Sequence, residues 1–263
     1  MALVKICGLL TPEQAAQTAR LPVDYIGLVF ARSKRQVSPA QAAELIAAIR
    51  QESGGRRIKV TGVFVNPELE QLDAVMREAA LDVLQLHGQE PPEFCRAAKA
   101  RYAGVEVLKA VSLSAGSASG SSPAGAAGEN QAEPTITAAV EGSRAQALLA
   151  DSGPQTEADQ AVYARLNPYL GAIDGVLLDT LDPVYGGGSG HAFDWSAIPP
   201  YLAWCRQAGL PLLVAGGLQP GNVGALLERF APSGVDVSSG VETDGVKDIS
   251  KITRFVERVK SIV

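Results

Sequence analysis

Short apolar runs of the kind that pack as strands buried on both faces recur along this chain. Most are followed by a loop and then by apolar residues at helical spacing. The first run is Leu3–Cys7, ended by Gly8; Thr11, Pro12 and Gln14 then supply an N-cap, a first-turn proline and a capping-box partner for a helix to about Arg20. A second run, residues 25–30, leads through the basic loop Arg32, Ser33, Lys34, Arg35 to Ser38 and Pro39, which repeat the cap and begin a helix through Ile49. The pattern predicts further strands over residues 59–65, 83–86, 106–111, 176–178, 211–215 and 235–237. It places helices from Asn66 and Pro67, over residues 91–101, 161–170 and 220–230, and from about Ile249. Alternating strands and helices also suit an open doubly wound sheet, but eight such units favour closure, so the fold class expected is α/β, a single (β/α)8 TIM barrel over residues 1–263.

One segment breaks the alternation. Of the 22 residues from Leu113 to Pro134, 15 are Ser, Ala or Gly, too little with which to build a core. A flexible insertion is expected at about residues 112–159, after the fifth strand, with at most a short helix around residues 144–150.

Composition narrows the function. An apolar share of 46% over 263 residues fills a substantial core, and a net charge of -5 without a basic run argues against nucleic acid as a partner while allowing one small phosphorylated ligand. No apolar stretch approaches the roughly 18 residues of a membrane span, and the first ten residues carry Lys5 and no small-residue cleavage site, so no membrane partner and a cytoplasmic location are expected. The three cysteines, Cys7, Cys95 and Cys205, fit neither a disulfide framework nor a zinc site. Cys95 and Cys205, on predicted helices, are read as inert.

Strand alternation then selects candidates for chemistry. Lys5 and Cys7 share a face of the first strand, Gln85 and His87 of the fourth, Leu177 and Asp179 of the sixth. In a barrel, Cys7, His87 and Asp179 converge on the loop-side mouth. Each also has a plainer reading: an inert buried thiol, a histidine bonded to a neighbouring loop, a carboxylate capping its own turn. Arg35 reads by default as part of a solvated loop. Gly216 and Gly217, and Ser238, Ser239 and Gly240, follow the seventh and eighth strands, where this fold forms its phosphate site from backbone N–H groups. A third glycine-rich loop, Gly186 to Gly190, follows Asp179. Neither a dinucleotide-binding GxGxxG nor a P-loop is present, since His191 and Val246 stand where a glycine and a lysine are needed.

In order along the chain, Val4-Lys5-Ile6-Cys7-Gly8, Gly62-Val63-Phe64-Val65-Asn66, Leu84-Gln85-Leu86-His87-Gly88, Leu178-Asp179-Thr180, Gly187-Gly188-Ser189-Gly190 with Phe193-Asp194-Trp195, Ala215-Gly216-Gly217-Leu218 and Val235-Asp236-Val237-Ser238-Ser239-Gly240-Val241-Glu242 resemble the phosphoribosylanthranilate isomerase family of tryptophan biosynthesis. The resemblance covers nearly all of the chain except residues 112–159. It implies an Amadori rearrangement of phosphoribosylanthranilate without cofactor or metal, with Cys7 as general base, Asp179 as general acid, Arg35 on the anthranilate carboxylate and the loops of Gly216, Gly217, Ser238, Ser239 and Gly240 on the phosphate. Gln85 and His87 join the expected substrate contacts, in a monomer or homodimer. The sequence departs from the family pattern at Gln36, where an aromatic is usual, in the extra glycine of residues 186–188, at His191 and in the long insertion. Indole-glycerol-phosphate synthase, a barrel sharing the phosphate loops, is disfavoured because it needs a catalytic lysine and glutamates at strand ends. A non-catalytic phosphate binder would need neither Cys7 nor Asp179.

Overall fold

The computed structural model describes residues 1–113, 154, 156–180 and 195–262. Eight parallel strands close into a barrel in sequential order: β1 Leu3–Cys7, β2 Tyr25–Val29, β3 Lys59–Phe64, β4 Val83–Leu86, β5 Glu106–Leu113, β6 Gly175–Thr180, β7 Leu212–Val214 and β8 Gly234–Val237. Outside it lie α1 Pro12–Ala19, α2 Pro39–Glu52, α3 Leu69–Glu78, α4 Pro92–Arg101, α5 Glu157–Leu166, α6 Ile198–Ala208, α7 Val223–Phe230 and α8 Ile249–Lys260. A small antiparallel hairpin, β9 Glu242–Thr243 and β10 Val246–Lys247, follows β8. The expected barrel is present. Among the described residues no helix is long and apolar enough to cross a membrane.

Several boundaries differ from expectation for local reasons. Strand β5 takes in Ser112 and Leu113, paired with Asp179 and Thr180 across the ladder. Helix α5 starts before residue 161, because Thr156 and Asp159 form a capping box. Both ends of the expected insertion are therefore regular structure, and the expected helix at residues 144–150 lies outside the described residues, as do Gly186 to Gly190 and His191. Helix α3 begins at Leu69 rather than Asn66, whose φ of 45° is not helical. Helix α7 starts at Val223 rather than Pro220, since the Asn222 side chain folds back to accept from the Gln219 N–H. Helix α6 escaped the sequence pattern because Pro199 and Pro200 read as breakers although they sit in its first turn, where the missing N–H groups have no helical partner to lose.

The main core lies between the strands and the helix ring, from Ile6 and Leu28 to Trp204 and Phe255. The barrel interior is filled in layers. Tyr25, Val83 and Leu108 form an apolar floor. Above it, Ala110, Leu177, Leu213 and Ala215 make one side of the interior apolar. The rest of the interior carries buried polar groups: Lys5, Thr61, Gln85 and Asp236.

At the base the even strands solve one problem four times. Asp24, Asp82 and Asp174 stand just before β2, β4 and β6, and each carboxylate accepts the N–H of the preceding strand, from Val4 at 2.8 Å, Val60 at 2.7 Å and Val107 at 2.9 Å. Ser233, just before β8, accepts from Leu212 at 3.1 Å in the same way. Each aspartate also meets a cation from the end of a helix: Lys260 at 2.8 Å, Arg50 at 2.6 Å and Lys99 at 2.5 Å. Donors that would end the ladder unpaired are thereby satisfied.

Candidate active site

The opposite end gathers the candidate residues. Cys7, last residue of β1, is buried, and Gly8 after it turns away with φ of 82°. That glycine is required twice over, because a Cβ there would also meet Arg35 Cδ at 2.5 Å. Burial pushes the Cys7 thiol above its ordinary value, and Lys5 and Lys247 pull against that. Directly below, Lys5 is fully buried and donates from Nζ to Asp236 Oδ1 of β8 at 3.1 Å. Burial works against its charge, yet Asp236 and Cys7 outweigh it and hold Lys5 protonated.

Asp179 stands near the end of β6 with its side chain half-buried, and His87 Nε2 lies 3.3 Å from its Oδ2. On the other edge of the ring, Gln85 Nε2 is 2.9 Å from His87 Nδ1. With the amide donating, a neutral imidazole carries its proton on Nε2, facing Asp179. The buried Gln85 Oε1 has no partner among the described residues. The loop after β4, which carries His87, is fixed by Glu90, which accepts from the Gly88 and Asn66 N–H groups at 3.0 and 2.8 Å and pairs with buried Lys109 at 2.8 Å.

Of the basic loop, Arg32 and Lys34 point to solvent while Arg35 turns inward. Its Nε and Nη2 form a fork on the two oxygens of Glu242, at 2.7 and 2.9 Å. Lys247 of the hairpin donates to Glu242 Oε1 at 2.6 Å, to the Ser238 carbonyl at 2.7 Å and to Ser238 Oγ at 3.2 Å. Ser238 Oγ in turn donates to the Cys7 carbonyl at 3.1 Å. Burial alone would raise the Glu242 carboxyl, but the hydrogen bonds from Arg35 and Lys247 hold it below its usual range. Two cations on one carboxylate leave this edge of the mouth positive, which suits an anionic ligand.

The glycine loops come together as expected of neighbouring strands. Gly216 and Gly217 have φ of 93° and 61°, and Gly240, in the tight turn Ser239–Val241, lies so close to the Leu218 backbone that any side chain would strike it. The loops after β7 and β8 thus form one surface. Among the described residues no cluster of His, Cys, Asp and Glu could hold a metal.

All ten residues singled out from the sequence lie at or just below this mouth: Cys7, Arg35, Gln85, His87, Asp179, Gly216, Gly217, Ser238, Ser239 and Gly240. Sequence reasoning missed Asp236, Glu242 and Lys247 as parts of the site. Asp236 did leave a signal, a lone carboxylate in the apolar strand Gly234–Val237, in phase with Ser238. Glu242 closes the motif that begins at Val235 but nothing there marked its role, and Lys247 left no signal, because only the hairpin brings them back over β1.

A closed (β/α)8 barrel with a thiol, a histidine-paired carboxylate and a cationic, glycine-rich rim is of the class that moves protons on small anionic ligands. Within that class, the chain belongs to the N-(5'-phosphoribosyl)anthranilate isomerase family, whose model matches residues 4–122 and 152–258. It is 39% identical over 261 residues to the N-(5'-phosphoribosyl)anthranilate isomerase of Brevibacillus brevis, covering 99% of this chain and 95% of that one. Identity to the Listeria monocytogenes protein of the same name is 35% over 260 residues, covering 99% of each. Among solved structures, phosphoribosyl anthranilate isomerase from Thermotoga maritima superposes with a TM-score of 0.70 at 31% identity and full coverage of both chains. A complex of such an isomerase with reduced 1-(o-carboxyphenylamino)-1-deoxyribulose 5-phosphate gives 0.66 at 30% identity, again over the whole of both chains.

Proposed function

We propose that this chain catalyses the Amadori rearrangement of N-(5'-phosphoribosyl)anthranilate to 1-(2-carboxyphenylamino)-1-deoxyribulose 5-phosphate in tryptophan biosynthesis, with Asp179 as general acid and Cys7 as general base. The observation that carries it is the meeting of Cys7, the His87–Asp179 pair and the inward-turned Arg35 at one mouth. Asp179 gives a proton to the ribose ring oxygen, the C1–O bond breaks, and the anilino nitrogen's lone pair forms the C1 iminium. Cys7 then takes the C2 proton, and those electrons move into the iminium to give an enaminol. Ketonisation, in which C1 gains a proton and the C2 hydroxyl loses one, completes the isomerisation without net loss of protons. The iminium is its own electron sink.

Cys7 has to act as the thiolate, so its own proton leaves to solvent before the C2 proton is taken. Burial opposes that ionisation, while Lys5, Lys247 and the cationic iminium beside the sulfur favour it. Arg35 is assigned to the anthranilate carboxylate, with Glu242 holding its guanidinium plane. The substrate phosphate is assigned to Gly216, Gly217, Ser238, Ser239 and Gly240, and Gln85 aims His87. The enzyme is assigned to the cytoplasm, as a monomer or a homodimer; one solved Thermotoga maritima structure is of monomers generated from a dimeric phosphoribosylanthranilate isomerase.

Incubating the folded protein with phosphoribosylanthranilate and following the loss of its fluorescence tests the reading. Turnover is expected. A rate no higher than the uncatalysed background removes the activity.

A further inference from the structure

Two opposite charges lie inside the barrel one layer below the mouth. Lys5 is wholly buried, Asp236 is 7% exposed, and they meet at 3.1 Å. Stability alone is a poor reason for such a pair, since well-packed apolar side chains of the same volume commonly do as well or better. Its position is more informative. Lys5 lies two residues before Cys7 on the same face of β1, and both side chains press on β2 at Gly27. A Cβ on Gly27 would lie 2.8 Å from Cys7 Sγ and 3.1 Å from Lys5 Nζ, so thiol and ammonium share the slot that this glycine leaves open. Asp236 closes the slot from β8 and is itself within electrostatic reach of Asp179 and His87.

We propose that Lys5 and Asp236 are positioning residues for Cys7: the Lys5 ammonium is the fixed cation against which the thiolate forms, and Asp236 both holds that ammonium in the slot and tempers its pull. The proposal rests on Cys7 being the base. The other charged groups that face Cys7 are Arg35, from the loop after β2, and Lys247, from β10. Both are bonded to Glu242. Lys5 is the cation that shares a slot with the thiol itself.

This arrangement has a signature that a packing role lacks, because the two partners must act on Cys7 with opposite sign. The experiment is the pH dependence of Cys7 alkylation by iodoacetamide in the folded protein, read on the Cys7 peptide by mass spectrometry so that Cys95 and Cys205 do not contribute. Lys5→Met is expected to raise the apparent Cys7 pKa by about one unit or more, the usual reach of a neighbouring charge. The limb of the kcat/KM pH profile that reports the thiolate should move the same way. Asp236→Asn is expected to lower the Cys7 pKa, because it leaves the thiolate as the anion nearest Lys5. The double variant should fall between wild type and Lys5→Met. Shifts of the same sign in the two single variants, or none in either, overturn the proposal. If Lys5→Met fails to fold by circular dichroism, the charge-neutral double variant decides: a Cys7 pKa above wild type supports the pair's role, and one at or below wild type overturns it. Alkylation reports the sulfur whether or not it is the base, so the two ideas fail separately. Full turnover in Cys7→Ala removes the base, while the alkylation profile still decides what Lys5 and Asp236 do to the thiol.

Discussion

The two ends of the barrel use charged residues in opposite ways. At the base, three aspartates and a serine occupy equivalent places before alternate strands, accept the same kind of N–H from the strand before, and in three cases meet a cation from a helix end. Among the described residues at the mouth no such arrangement repeats: a thiol closes β1, an imidazole follows β4, a carboxylate lies in β6 and a serine follows β8. Repetition points to a demand that every strand pair shares, namely satisfying backbone donors. Residues that occur once answer a demand that arises once, at the ligand. The base therefore reads as stability and the mouth as chemistry, and the division can be tested by changing each end.

The largest expected effect sits on the mouth side and is structural, which tests how clean the division is. Glu90 is 3% exposed, pairs with buried Lys109 and holds the loop that carries His87. Glu90→Ala removes the counter-charge of a buried ammonium, leaving it only the Leu86 and Gly88 carbonyls, and should cost about 3–5 kcal/mol in urea unfolding. A loss below about 1 kcal/mol would show that these carbonyls, with water, are enough to hold the Lys109 charge. Next come the proposed acid and base. Asp179→Asn and Cys7→Ala should each lower turnover at least about 100-fold while the unfolding midpoint stays near wild type. Near wild-type turnover in either removes that residue from the mechanism.

The sequence showed one end of this comparison far better than the other. Cys7, His87 and Asp179 stand out because a titratable side chain at the end of an apolar run is conspicuous, and strand alternation then says which of them share a face. The (β/α)8 order was legible for a similar reason, from caps such as Thr11 with Pro12 and Ser38 with Pro39. The Arg35–Glu242 fork was not, since it joins residues 207 apart in the chain. Asn66 misled because Asn-Pro commonly starts a helix; here its side chain instead accepts the Gln89 N–H at 2.7 Å and ties two loops together. The base ring was written plainly, with Asp24, Asp82 and Asp174 just ahead of their strands. Only the register makes it meaningful, because it sets which strand offers each aspartate an unpaired N–H.

A change at the base should do the reverse of one at the mouth. Asp174→Ala removes the acceptor of the Val107 N–H and the partner of Lys99. Leaving that strand donor unsatisfied should cost about 1–3 kcal/mol of stability while turnover at a temperature where the variant is folded stays unchanged. A substantial fall in kcat with normal folding would mean that the base transmits to the mouth, and the comparison would fail.

The smallest effect concerns a charged cluster that belongs to neither end. On the outer helices, Asp73 of α3 accepts from Arg101 Nε of α4 at 2.7 Å and from the Tyr102 hydroxyl at 2.7 Å. These hydrogen bonds hold its carboxyl down at about 2, against about 3.9 in an unfolded chain. Because the folded value lies below the unfolded one, the contribution is fully present above about pH 4 and is lost as the pH falls through about 2. The cluster is open to solvent, so salt should weaken it. Asp73→Asn should therefore leave the unfolding midpoint at pH 7 slightly lowered and make the decline between about pH 4 and pH 2 shallower than in wild type, with the difference shrinking in high salt. Parallel declines of wild type and Asp73→Asn over that interval would mean that Arg101 and Tyr102 hold the carboxylate equally well in the unfolded chain. The cluster would then contribute nothing that folding gains.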